Sequence, residues 1–171
     1  MNTTTTILNI KTNSLSNNLK LAICVLICQS TGIVSGLLTN TQNNTWFETI
    51  IKPSWNPLGY LFGPVWTVLY LLMGISLWLI WKSDAPETQK FQACLIFALQ
   101  LFLNFWWTII FFKFQCPLCA FVEILIMICL IVITIFKFSK ISKTAAWVLV
   151  PYISWVFFAT ILNYKLWVLN N

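Results

Sequence analysis

A chain without histidine has few routes to catalysis, and none of these 171 residues is histidine. Ser-His-Asp and Cys-His arrangements are excluded, and neither a phosphate-cradling glycine loop nor a pair of catalytic carboxylates appears. The commonest haem ligand is missing as well. The chemistry on offer is instead aromatic surface with a few amides at helical spacing. Trp66 and Tyr70 stand four apart, and Met73 and Leu77 continue their stripe. Gln100 and Asn104 are also four apart, with Trp107 three further on the same face. Trp155, Ala159 and Asn163 repeat the pattern, with Tyr164 beside the last. A Trp above an alanine leaves room for a flat guest, and offset stacking adds about 0.5–1.5 kcal/mol per pair beyond area burial. Three such stripes, converging, would make an apolar pocket with a few polar groups. The same spacings also serve helix seams, in which the small residue admits a neighbour and the amides bond across to it.

Two further groups invite a chemical reading. Glu123 is the only carboxylate inside an apolar run, and its place near a helix start, with Lys113 available to pair, favours a structural role over proton chemistry. Cys116-Pro117-Leu118-Cys119 has redox spacing but no βαβ context, so a helix-start turn is the expected account. Cys24, Cys28, Cys94 and Cys129 lie within apolar runs as small hydrophobes, and no metal site is expected.

The elements that must position these residues follow from composition. Hydrophobic residues make up 59% of the chain and charged ones 8%, against about 25% charged in an ordinary soluble domain. Five stretches reach the length of a membrane span: about 21–39, 60–81, 91–112, 117–136 and 144–166. They are apolar on all faces rather than alternating, which excludes a β-barrel and makes this an all-α membrane protein, a five-transmembrane-helix bundle. The bundle forms a single domain over residues 19–171, preceded by a polar tail, 1–18, expected to be disordered. The net charge of +6 comes from lysines near span ends, a topological feature rather than a nucleic-acid site. Lys11, Lys20, Lys82, Lys90, Lys137, Lys140 and Lys143 share the N-terminal face against Lys52, Lys113 and Lys165 on the other, which directs the N-terminus inward. Gly32 and Gly36 form a GxxxG packing face in the first span, for a neighbour in the same chain or another. Residues 40–59 make a connection too long for a turn and too aromatic for a solvated linker, with Trp46, Phe47 and Trp55. Thr45 is expected to cap a short helix through Ile51, and Pro53 and Pro57 extend the rest. Two readings fit together: a lid folded over the bundle, and an aromatic belt at headgroup level. Pro151 is expected to bend the fifth span.

At this point a family resemblance becomes specific. Trp46-Phe47, Lys52-Pro53-Ser54-Trp55, Gly63-Pro64-Val65-Trp66-Thr67-Val68-Leu69-Tyr70, Met73-Gly74, Gln100-Leu101, Asn104, Pro151-Tyr152, Trp155, Phe158-Ala159-Thr160, Leu162-Asn163-Tyr164 and Trp167 stand in order and at the spacing of one known pattern. The chain closely resembles the translocator protein family, also called the tryptophan-rich sensory or peripheral-type benzodiazepine receptor family.

The resemblance implies a multi-pass integral membrane protein, frequently a homodimer, whose pocket below the first loop binds porphyrins such as protoporphyrin IX, sterols or benzodiazepine-type ligands. The implied role is transport, sensing or stress-linked disposal of tetrapyrroles, with light- and oxygen-dependent porphyrin degradation as the enzymatic alternative and a vestigial pocket as a third. No cofactor is required, and membrane lipid, a porphyrin or sterol and a second copy are the implied partners. Carried onto this chain, the ligand positions are Trp46, Phe47, Trp55, Trp66, Tyr70, Asn104, Trp107, Trp155 and Ala159, and Trp66 and Trp155 match the tryptophans implicated in porphyrin breakdown. Three departures stand out. Phe47 lacks the hydroxyl often present there, Leu95 and Leu99 replace a small-xxx-small pair, and Leu162-Asn163-Tyr164-Lys165 is an imperfect sterol pattern.

Overall fold

Five runs of apolar sequence become five helical spans in a computed structural model that describes residues 15–171. The expected tail falls largely outside the described residues, but Asn17 and Asn18 already belong to the first helix. Helix α1 runs Asn17–Thr39, begun by Ser16, whose side chain accepts the Leu19 N–H, and ended by Asn40 in the left-handed region at φ 49°. The span therefore starts a turn earlier than hydropathy alone places it.

A 3₁₀ turn, Thr41–Asn43, leads to the short helix α2, Thr45–Thr49. Its cap is Asn44 rather than Thr45: the Asn44 side chain accepts the Phe47 N–H at 2.9 Å, and its amide reaches back to the Thr39 carbonyl at 3.2 Å. The helix also stops before Ile51. Ile50 is already extended, with the Lys52-Pro53 bond two residues further on.

The remaining elements are α3, Gly59–Trp81; α4, Glu87–Thr108, continued by a π-turn at Ile109–Lys113; α5, Pro117–Ile141; α6, Lys143–Val148; and α7, Val150–Leu169. Together α6 and α7 form the fifth span. The break between them lies where Pro151 has no N–H to offer Trp147, and the Leu149 N–H turns to Ala146 instead, at 3.1 Å. No strand occurs among the described residues.

The helices close into a ring. α1 packs on α3 and α4, α4 on α5, α5 on α6 and α7, and α6 on α3. Two glycines set how closely α1 and α3 approach. A Cβ on Gly32 would stand 2.2 Å from the Tyr70 ring, and one on Gly74 would stand 2.7 Å from the Val25 Cα. The GxxxG face thus serves a neighbour within the chain at its first glycine, whereas Gly36 meets only the Thr41 hydroxyl at 3.4 Å. Across the ring, Ala145 and Ala146 bring α6 close to α3, and the Ser76 hydroxyl donates to the Ala145 carbonyl at 2.7 Å. The half of the bundle near the N-terminus is filled, with Phe97 stacked on Phe138 at 5.7 Å and Met73, Ile80 and Leu149 fully buried. The half towards the α1–α3 connection is not.

Candidate functional site

That half holds a cavity of about 1080 Å³, just above the roughly 300–1,000 Å³ range of small-molecule sites. Beneath it runs a chain of buried polar groups drawn from three spans, of which Tyr70 and Asn104 line the cavity. The Tyr70 hydroxyl donates to Asn104 Oδ1. Asn104 Nδ2 donates to the Tyr152 oxygen at 3.3 Å, and the Tyr152 hydroxyl donates to Gln100 Oε1 at 2.7 Å. All four residues are at most 5% exposed. Helical spacing explains the convergence, because Gln100 and Asn104 share one face of α4 and aim at the same tyrosine. Asn104 therefore lines the cavity with both ends of its amide bonded inside the protein.

The walls are aromatic. Trp66 lies tilted on Tyr70 with centroids 5.4 Å apart and meets Tyr152 edge-on at 6.4 Å. Trp107 stacks on Phe111 at 5.1 Å and 14°, and its indole N–H donates to Asn163 Oδ1 at 3.2 Å. Asn163 in turn donates to the Pro117 carbonyl at 2.8 Å, tying α7 to the start of α5. Trp155 tilts against Phe158 at 5.2 Å, with Phe62 edge-on at 6.0 Å. One turn on, Ala159 opens the wall that Trp155 narrows.

Over the top lies the 40–59 connection. Phe47 sits edge-on to both Phe111 and Phe112, at 6.0 and 5.4 Å. The π-turn presents these consecutive rings, and its wider winding shows in the Phe114 N–H bonding the Ile109 carbonyl five residues back. Lys52, Asn56 and Pro57 of the same connection also line the cavity. The connection is latched by the far end of the chain: Asn170 accepts the Ile51 N–H at 2.8 Å and donates to the Ile51 carbonyl at 2.9 Å. The connection lies over the cavity, and Trp55 is 44% exposed on its outer surface.

Of the residues expected at the site, Phe47, Trp66, Tyr70, Asn104, Trp107, Trp155 and Ala159 line one cavity. Trp46 and Trp55 do not. Trp46 follows the α2 helix away from Phe47 and packs edge-on against Phe111 at 5.5 Å, and Trp55 lies against Phe158 at 6.0 Å. Tyr164 also faces away. It tilts on Phe121 at 5.4 Å on the outer side of α7, so only Asn163 of that pair supplies a polar end. Lys113 does not pair with Glu123. Lys113 is exposed at the span's edge, and both Glu123 oxygens are buried without a partner. Sequence reasoning missed Gly32, Phe111, Met127 and the Asn170 latch. The GxxxG pattern carries a signal for the first; nothing local marks the others.

Comparison with known proteins decides the family. The TspO/MBR family pattern matches residues 24–168. The chain belongs to the TspO/MBR family. It is 38% identical over 152 residues to the tryptophan-rich protein TspO of Chlorobaculum tepidum, covering 89% of this chain and 96% of that one. Similarity to the TspO of Archaeoglobus fulgidus is 36% over 154 residues, 90% and 99% of the two chains. With the Homo sapiens translocator protein it is 37% over 123 residues, 71% and 73%. As a TspO/MBR member with five spans, this is a multi-pass integral membrane protein.

Proposed function

We propose that the cavity binds a large, flat, mainly apolar molecule with polar edges, of the porphyrin class, in the service of its transport or sensing. The observation that carries this reading is an unused donor at an aromatic wall: the Trp155 indole N–H is buried with no partner, in a cavity walled by Trp66, Trp107, Phe111 and Trp155. A buried donor left unpaired costs about 1–3 kcal/mol, which a ligand acceptor would recover. The lid offers complementary chemistry. Lys52 lines the cavity and has no carboxylate within salt-bridge distance among the described residues, so it suits a ligand that carries carboxylates at one edge. Asn56 Oδ1, also buried and unpaired, adds an acceptor. A thin acyl chain would satisfy none of these groups. Relatives named translocator protein and tryptophan-rich sensory protein fit transport and sensing respectively.

Protoporphyrin IX added to the purified protein is expected to quench Trp fluorescence saturably, and the Trp66→Ala/Trp155→Ala double variant, shown to fold by its helical circular dichroism, to lose that response. Equal quenching in both proteins would remove the assignment. Porphyrin breakdown is the second reading, favoured by two oxidisable indoles, Trp66 and Trp155, on one wall system. It requires a new absorbing product that forms only with protein, light and oxygen together.

A further inference from the structure

The start of α5 carries a feature that the cavity does not use. Cys116 and Cys119 are joined as a disulfide across the first turn of a 25-residue helix. The two sulfurs are not equivalent. Cys119 is exposed, whereas Cys116 is half-buried and occupies the cap position, where its sulfur accepts the Cys119 N–H at 3.3 Å. Pro117 at the first helical position has no N–H, so the Cys119 N–H is the backbone donor directed at that sulfur. A helix N-terminus favours negative charge on a group placed there. Cys116 is thus built as a leaving thiolate and Cys119 as the sulfur open to attack. The remaining cysteines lie deeper: Cys24 and Cys28 are buried within their span, and Cys94 and Cys129 stand well inside theirs, whereas Cys119 is in the first turn of α5.

We propose that Cys116–Cys119 is a thiol–disulfide exchange site for low-molecular-weight thiols on the lid face of the membrane. The thiolate of the small molecule attacks Cys119 Sγ, the Cys116–Cys119 bond breaks, and Cys116 Sγ leaves as a thiolate stabilised by the helix start. This forms a mixed disulfide between Cys119 and the small molecule. A second small thiolate then attacks the small-molecule sulfur of that mixed disulfide and releases Cys119 as a thiolate. The two cysteine thiolates take up the two protons given up by the attacking thiols. Two electrons have passed to the pair, and the small thiols leave as their own disulfide. A small monothiol fits because attack needs access to one exposed sulfur beside the membrane surface, with no docking area. The excess of lysines on the opposite face directs this face outward, towards compartments where disulfides persist.

The exchange has a structural route to the cavity. Pro117, between the two cysteines, gives its carbonyl to Asn163, and Asn163 holds the Trp107 indole on the cavity wall. The exchange itself stands apart from the cavity's occupant and is tested without any ligand. The full chain in detergent micelles is equilibrated with graded ratios of reduced to oxidised glutathione, quenched with acid, alkylated and mapped by mass spectrometry. Cys116 and Cys119 are expected to pass together from bonded to alkylated within that series. In a Cys116→Ser variant oxidised glutathione is expected to leave a mixed disulfide at Cys119, and the Cys119→Ser variant is expected to accumulate at least several-fold less at Cys116. A wild-type pair that stays bonded throughout, a pair found free even in oxidised glutathione, or a preference for adduct at Cys116 would each overturn the proposal. The wild-type series does not depend on the variants folding.

Discussion

Tyr70 is held from three sides, by Trp66 tilted against it, by Asn104 at its hydroxyl and by the bare Gly32 backbone against its ring. A methyl group at Gly32 has nowhere to go, because the ring it would strike at 2.2 Å cannot turn without breaking its bond to Asn104. Gly32→Ala is expected to destabilise by about 1–3 kcal/mol, the usual cost of overpacking, and to weaken porphyrin quenching. Gly36→Ala, with ordinary room around it, is expected to stabilise by about 0.5–1 kcal/mol through helix propensity. Thermal unfolding of the two variants side by side checks both, and equal shifts would contradict this account of the α1–α3 contact. Glu123 poses the opposite problem, a buried carboxyl group with no partner for either oxygen. Removing such a group recovers its desolvation penalty, so Glu123→Leu is expected to raise stability by about 1–3 kcal/mol. A fall in unfolding temperature would reveal a partner for this carboxyl.

Among the elements, the lid is the one whose position depends on groups remote in sequence. Its two bonds to Asn170 join residues 119 apart in sequence, and Asn44 adds a bond to the Phe112 carbonyl at 3.4 Å. Asn170→Ala is expected to speed hydrogen exchange at Ile51 and the neighbouring lid amides and to raise the ligand dissociation rate several-fold, with the amides of α3 and α5 unchanged. Exchange that accelerates throughout the protein would instead make Asn170 a general stabiliser. These elements also show what was legible in sequence. Span number followed from composition, because lipid demands long apolar helices, and the walls followed from i, i+4 stripes such as Trp66–Tyr70 and Trp155–Ala159. The latch was illegible, since a terminal Asn looks like any other polar residue until the chain has folded back. The π-turn was equally hidden: Ile109–Lys113 reads as ordinary apolar helix, yet its winding brings Phe111 and Phe112 together against Phe47. Trp46 and Trp55 lie outside the cavity lining, because composition marks a loop as aromatic without saying which ring turns inward.

For the molecule as a whole, the five spans among the described residues put Leu15 and Asn171 on opposite sides of the membrane, so one topology fixes the side of the cavity, the latch and the disulfide together. Among the described residues, Lys20, Lys82, Lys90, Lys137, Lys140 and Lys143 lie near the N-terminal face and Lys52, Lys113 and Lys165 near the lid face. Lysines close to span ends resist translocation, whereas Asp84 and Glu87 contribute little under the same rule. The lid, and with it the mouth of the cavity, is therefore expected on the side away from the cytoplasm when the chain is produced in a bacterial inner membrane. An alkaline-phosphatase reporter, active only outside the cytoplasm, is expected to be active when fused after Asn171 and inactive when fused in the Ser83–Gln89 connection. The reverse pattern would show that the lysine bias does not govern insertion. It would also place the Cys116–Cys119 pair in a reducing compartment, where a standing disulfide is not expected.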